Sequence, residues 1–186
     1  AYKEADKQRA ETRRKELGLS ASFQTFRQGI FRMYSDLSGG KVKLEQMLAS
    51  MQAHHAAYCE LMRPLHLRYP DEGIDVVFFQ KEADYRQITG SQGSVGVYKP
   101  KNGASYFFLT GAGDDFNTLL HEMTHQYCDK ISELYIEAAC VSEGIAEYFG
   151  AAVLTSGGKK LELGKPHSYN VKELRESLLG RGDPLV

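Results

Sequence analysis

The segment LLHEMTHQYC, residues 119–128, sets His121 and His125 four residues apart with Glu122 beside the first. On an α-helix, with about 100° between successive residues, two side chains at that spacing lie about 40° apart and point the same way. Two imidazoles one turn apart converge on one ion, which makes the HExxH pattern half of a zinc site. Glu122 projects to the flank of the pair, where its carboxylate reaches a water on the metal without being a ligand itself. The chemistry open to such a set is hydrolysis, with Glu122 taking a proton from the water as general base and returning it to the leaving group as acid.

A catalytic zinc site needs a third protein ligand and keeps a fourth position open. The segment CVSEGIAEYFGAAVL, residues 140–154, supplies acids at helical spacing: Glu143 follows His125 after 17 intervening residues, and Glu147 lies one turn beyond. Glu143 is the preferred third ligand, with Glu133 and Glu137, in or near the connector, as rivals. Glu147 suits a supporting role, accepting the remaining ring N–H of a ligating histidine and fixing its tautomer. Ala146, Gly150 and Ala151 keep one side of this second helix small enough to approach the first closely.

Helices can aim these groups only if a core holds them. A chain of 186 residues, 42% apolar and 25% charged, fits one globular domain with a sizeable core. Phe116, Leu119, Leu120, Met123 and Tyr127 recur at intervals of three and four, an apolar stripe nearly opposite the histidines, on a helix expected to start near Asp114 or Asp115. Upstream, GSVGVY (93–98) and SYFFLT (105–110) read as strands joined through KPKNG, whose Asn102-Gly103 pair signals a tight turn. IDVVFF (74–79) reads as a buried strand and ADYRQI as the start of a short helix, while FRMYSDL (31–37) alternates as a strand. A helix is expected from about Val42 to Met62, ended by Pro64. His54 and His55 sit on it, about 100° apart, and are assigned structural or surface roles. Residues 2–17 predict a charged helix ending near Gly18, a solvated helix or linker, leaving 19–186 as the domain proper. Strands and helices in this alternation predict an α+β fold.

The formal net charge of -1 gives no electrostatic reason to expect nucleic acid or an anionic membrane as partner. No apolar run is long enough to span a bilayer, and the N-terminal residues carry no apolar signal region. Compartment stays open, with an exported or cell-envelope location allowed if a signal was removed. Cys59, Cys128 and Cys140 leave one cysteine over in any disulfide scheme, so a Cys128–Cys140 bridge is the minor reading and small buried hydrophobes the major one.

HEMTHQ followed by SEGIAEYF resembles the gluzincin zinc metallopeptidases, whose HExxH is completed by a glutamate in a downstream EGxAxYF helix. Taken in order, FRMYSDLS, GSVGVY, LLHEMTHQY and SEGIAEYFGA resemble a little-characterised bacterial family of short peptidase-like gluzincin domains, over roughly residues 30–155. Ile131 stands where the metzincin pattern has its third histidine, which disfavours that branch. Cys140 replaces the tryptophan such families often carry before the glutamate motif.

The resemblance implies a zincin domain with a small mixed or antiparallel sheet packed on the HExxH helix and a second, glutamate-bearing helix. It implies one Zn2+ per chain and a peptide or protein substrate whose amide bond is cut. It further implies that substrate pairs with an edge strand, for which Gly93, Ser94, Val95, Gly96, Val97 and Tyr98 are the candidates. A downstream His or Tyr commonly supports the oxyanion in such enzymes, which points to His167 and Tyr169, while Tyr127 and Tyr148 are expected to be core aromatics. The resembled family continues into further helices past the position of Val186, so a shortened or truncated C-terminal subdomain is expected. The rival expectation is a non-catalytic module of the same fold that binds peptide or protein, though such a module has no need of Glu122.

Overall fold

The computed structural model describes residues 2–37, 41–65, 67–68, 73–110, 115–132, 138–155, 160–166 and 171–172. In chain order the elements are α1 (Tyr2–Glu16), β1 (Gln24–Gln28), β2 (Phe31–Ser35), α2 (Lys41–Leu61), β3 (Ile74–Phe79), α3 (Glu82–Thr89), β4 (Gly96–Lys99), β5 (Ala104–Phe108), α4 (Asp115–Lys130), α5 (Ala139–Gly150), β6 (Val153–Thr155) and β7 (Lys160–Glu162). The fold is α+β. Its main sheet is mixed, in the order β1-β2-β3-β5-β4: the two central pairings are parallel, and each outer strand is antiparallel to its neighbour. Strands β6 and β7 form a separate antiparallel pair. Among the described residues, no helix is long and apolar enough to cross a membrane.

The period of two along the strands divides the core into two layers. Phe31, Met33, Ile74, Val76, Phe78 and Phe107 face α2, α4 and α5, packing on Met47, Met51, Leu119, Met123, Tyr127 and Phe149. Tyr34, Val77, Phe79, Ala104 and Tyr106 face the other way, onto Leu17, Leu19, Phe23 and Tyr85. IDVVFF is buried along its whole length because β3 is central and covered on both faces. The hairpin from β4 to β5 forms as the Asn102-Gly103 pair predicts, with Gly103 at φ 62, in the left-handed region that favours glycine. Asp115 begins α4, its carboxylate accepting the backbone N–H of Thr110 at 3.0 Å. The predicted helix from Val42 to Met62 is α2, shifted by one residue at each end.

The charged helix expected over residues 2–17 is α1, one residue shorter, but its last turns are built into the second layer rather than solvated. Leu17 is buried, Arg14 donates to the carbonyl of Leu19 at 2.7 Å, and Arg13 reaches Asp75 on β3 at 2.7 Å. Asp75 also holds Arg32, its neighbour across the parallel β2–β3 pairing, through contacts of 2.6 and 3.0 Å.

His54 lies in the first layer, fully buried between the rings of Tyr127 and Phe149. Its Nε2 is 3.1 Å from the hydroxyl of Thr124, which itself donates to the carbonyl of Leu120 at 2.7 Å. The hydroxyl hydrogen being spent, Thr124 accepts from His54, so the ring is the Nε2–H tautomer and the buried Nδ1 is a bare acceptor without a hydrogen-bond partner. Burial, with His55 adding to it, pushes the His54 pKa from 6.5 down to about 3. The unfolded chain therefore takes up a proton across that window while the folded chain does not, and the contribution of His54 is complete above pH 6.5 and lost as pH falls toward 3. The slope approaches about 1.4 kcal/mol per pH unit. Urea unfolding at a series of pH values should show a wild-type stability falling more steeply with acid than that of His54→Gln, and parallel curves would contradict the assignment.

Candidate metal centre

Helices α4 and α5 carry every residue that the sequence assigns to the metal, and they cross closely because α5 offers Gly150 at the contact. A Cβ on Gly150 would stand 3.2 Å from the His121 Cβ and 3.3 Å from the Asn117 carbonyl oxygen, so even alanine there would push α4 back by a few tenths of an ångström. Ala146, one turn earlier, is buried in the same interface. The small side of α5 predicted from Ala146 and Gly150 is thus what sets His121 and Glu143 face to face.

At the crossing, His121 Nε2 and His125 Nε2 are 3.3 Å apart. Glu143 closes a triangle with them, Oε2 at 3.2 Å from His121 Nε2 and Oε1 at 3.4 Å from His125 Nε2. Each carboxylate oxygen thus faces a different histidine, and tetrahedral zinc with bonds of about 2.0–2.1 Å would hold its ligand atoms about 3.3–3.4 Å apart, close to the separation of the two Nε2 atoms. The outer ring nitrogens decide what the inner ones are. His121 Nδ1 faces Glu147 Oε1 at 3.2 Å, a carboxylate placed to accept the outer ring N–H and leave Nε2 turned toward Glu143 and His125. His125 Nδ1 faces the Ser142 hydroxyl at 3.3 Å, which can accept in the same way. Two imidazole nitrogens and a carboxylate thus converge on one point. The group His121, His125 and Glu143 could hold a metal ion.

Glu147 thus stands beside His121, whereas Ser142 carries no signal in the sequence: a hydroxyl one residue before Glu143 reads as an ordinary residue of a helix's first turn. Both orienting groups should matter to a bound ion. Glu147→Ala should weaken zinc affinity about 10–100-fold, and Ser142→Ala by less, because a neutral hydroxyl raises ring basicity less than a carboxylate does. Competition titration against a chromophoric chelator measures both, and unchanged affinity in Glu147→Ala would remove the orienting role.

Glu122 stands outside the triangle. Its Oε2 accepts the backbone N–H of Tyr98 at 2.7 Å. Tyr98 is on β4, an edge strand, and the direction of that N–H follows from the ladder: Phe108 donates to the Val95 carbonyl at 2.8 Å, which turns the main-chain groups of Val95, Val97 and Lys99 toward β5 and those of Gly96 and Tyr98 outward. The edge predicted over Gly93–Tyr98 is therefore shorter, with the strand beginning at Gly96. Ser94 bends instead to donate to the outward Gly96 carbonyl at 2.7 Å. Two outward main-chain groups of β4 are thus already bonded within the chain, one by Ser94 and one by Glu122.

Other expectations fare unevenly. Tyr127 is a core aromatic, but Tyr148 is 40% exposed, since α5 turns that face away from α4. Cys128 is buried and Cys140 exposed, and no disulfide joins the cysteines, so Cys140 is not the buried hydrophobe expected. His54 and His55 take no part in the triangle. His167 and Tyr169, the oxyanion candidates, lie outside the described residues, as do the rival ligands Glu133 and Glu137. Compared with known protein families and with curated proteins, the sequence matches none.

Proposed function

We propose that this chain is a zinc-dependent peptidase of the gluzincin type, with His121, His125 and Glu143 as ligands and Glu122 as general base. The observation that carries the reading is the convergence of His121 Nε2, His125 Nε2 and the Glu143 carboxylate on one point, with Glu147 and Ser142 standing at the outer ring nitrogens. Zinc bound there would supply Lewis acidity, making a water acidic near neutral pH and polarising a carbonyl. The chain's own groups would do the rest. Glu122, tethered through Oε2 to the Tyr98 N–H, is kept out of the ligand set and has its other oxygen available to accept a proton from water. The same carboxyl then returns the proton to the departing amide nitrogen, so one side chain is base and acid in turn. Glu147 and Ser142 hold the imidazoles in the tautomer that ligation needs.

The test is elemental analysis of the purified chain with a cleavage assay on unfolded protein substrate, before and after a chelator. One zinc per chain, with cleavage that chelation abolishes and zinc restores, is the expected result. Zinc at one per chain without cleavage would replace the peptidase by a peptide-binding module of the same architecture. A folded chain that takes up no zinc would end both readings.

A further inference from the structure

Glu122 and Asp129 stand seven residues apart on α4, two helical turns, and so share one flank of the helix. Both are bonded to the same residue of the neighbouring strand: Tyr98 gives its backbone N–H to Glu122 and its phenol O–H to Asp129. The turn between them is fastened as well. Gln126, fully buried, accepts from the Ser105 hydroxyl at 2.8 Å and donates to the carbonyls of Asp75 at 3.0 Å and Gly103 at 3.1 Å. Ser105 is the cross-strand partner of Tyr98, so the two side chains leave the β4–β5 hairpin on one face and engage consecutive turns of one helix. The fit leaves little slack, for a Cβ on Gly96 would lie 2.7 Å from Thr118 Cγ2. Burial and the Asp129 carboxylate both raise the Tyr98 pKa above its usual value, which keeps the phenol a donor.

Packing alone would dock α4 on the hairpin at any height the apolar contacts allow. A two-point attachment through one residue does more, because it ties the height of β4 along α4 to the backbone N–H that holds the base. We propose that Tyr98 is a positioning residue for Glu122: the Tyr98–Asp129 bond fixes β4 where the Tyr98 N–H retains one oxygen of Glu122 and leaves the other to handle the proton. The clamp itself stands on geometry, and its effect on turnover rests on the peptidase reading above.

Amide NMR on the metal-free chain tests the clamp without any activity. The amide proton of residue 98 should be shifted downfield and exchange slowly in the wild type, and Glu122→Ala should remove both features. Tyr98→Phe and Asp129→Ala should each lower its protection at least about tenfold. Asp129→Asn, whose side-chain oxygen still accepts from the phenol, should retain it. In the zinc-loaded chain, kcat should fall about tenfold in Tyr98→Phe and Asp129→Ala, with KM and zinc content unchanged, and recover in Asp129→Asn. An amide of residue 98 unaffected by Tyr98→Phe overturns the clamp, whether or not the wild type cleaves peptides. Lost protection with unchanged kcat overturns the positioning role, and a wild type that binds zinc without cleaving counts against the peptidase reading while the amide result still decides the clamp.

Discussion

Glu122→Gln should bind zinc as tightly as the wild type and cleave peptides about 10²–10⁴-fold more slowly. The substitution is nearly isosteric, and the amide oxygen of glutamine can still accept the Tyr98 N–H that Glu122 Oε2 accepts at 2.7 Å. The side chain therefore keeps its place and loses only the ability to take a proton. Nothing in the triangle of His121, His125 and Glu143 is altered, because Glu122 is not among the groups that converge there. The signature is a fall in kcat and in kcat/KM together, with zinc stoichiometry and affinity unchanged. Loss of zinc would make Glu122 a ligand, and undiminished cleavage would place the chemistry elsewhere on the chain.

The parts of the site that could be read in advance are those that a helix period dictates. His121, His125 and Glu122 are separated by angles fixed by 3.6 residues per turn, and Glu143 and Glu147 repeat the same spacing on α5. What the spacing leaves open is the crossing of the two helices, and there the informative residue is Gly150, whose missing Cβ permits the approach to His121. Ser142 was not legible, because a serine hydroxyl has a partner only once a second helix is beside it. The bond from Tyr98 to Asp129 was invisible for the same reason: it joins residues 31 positions apart, and the strand pattern that contains Tyr98 says nothing of where its phenol goes.

The fold follows a similar division. IDVVFF, the β4–β5 hairpin and the long helix α2 announce themselves through apolar runs, an Asn-Gly turn and a proline stop. Strand β1 escapes notice because every residue of QTFRQ is exposed, so an outer strand with no buried side has no alternation to display. Strands β6 and β7 have three residues each, too short for any period. Tyr148 shows the converse error, an aromatic in an apolar helix that faces outward. The Asp in IDVVFF passes as an interruption of an apolar strand, yet it is the residue on which the buried charge of the second layer depends.

Asp75→Ala should destabilise the fold by about 3–5 kcal/mol, as much as truncating a buried aromatic of the core. The side chain is 3% exposed and faces two guanidiniums, Arg32 at 2.6 Å and Arg13 at 2.7 Å, whose side chains are 11% and 22% exposed. Removing the carboxylate strands the Arg32 charge in a layer formed otherwise by Tyr34, Val77 and Tyr106 and leaves Arg13 only Glu16, at 3.1 Å, and the Asn102 carbonyl, so the cost is mainly unmatched desolvation rather than the value of the pair. The exposed pair Arg27–Asp6 supplies the contrast within the same molecule, and Arg27→Ala should change stability by less than about 1 kcal/mol. Combining Asp75→Ala with Arg32→Met should recover part of the loss, since one stranded charge goes with its partner. The damage should also reach the hairpin, because Arg13 also donates to the Asn102 carbonyl in the β4–β5 turn. Urea midpoints at constant m-value measure all three variants. A cost below about 1 kcal/mol for Asp75→Ala would mean that water reaches Arg32 and Arg13 readily once the carboxylate is gone, and that α1 is held by Leu17 and Leu19 rather than by charge.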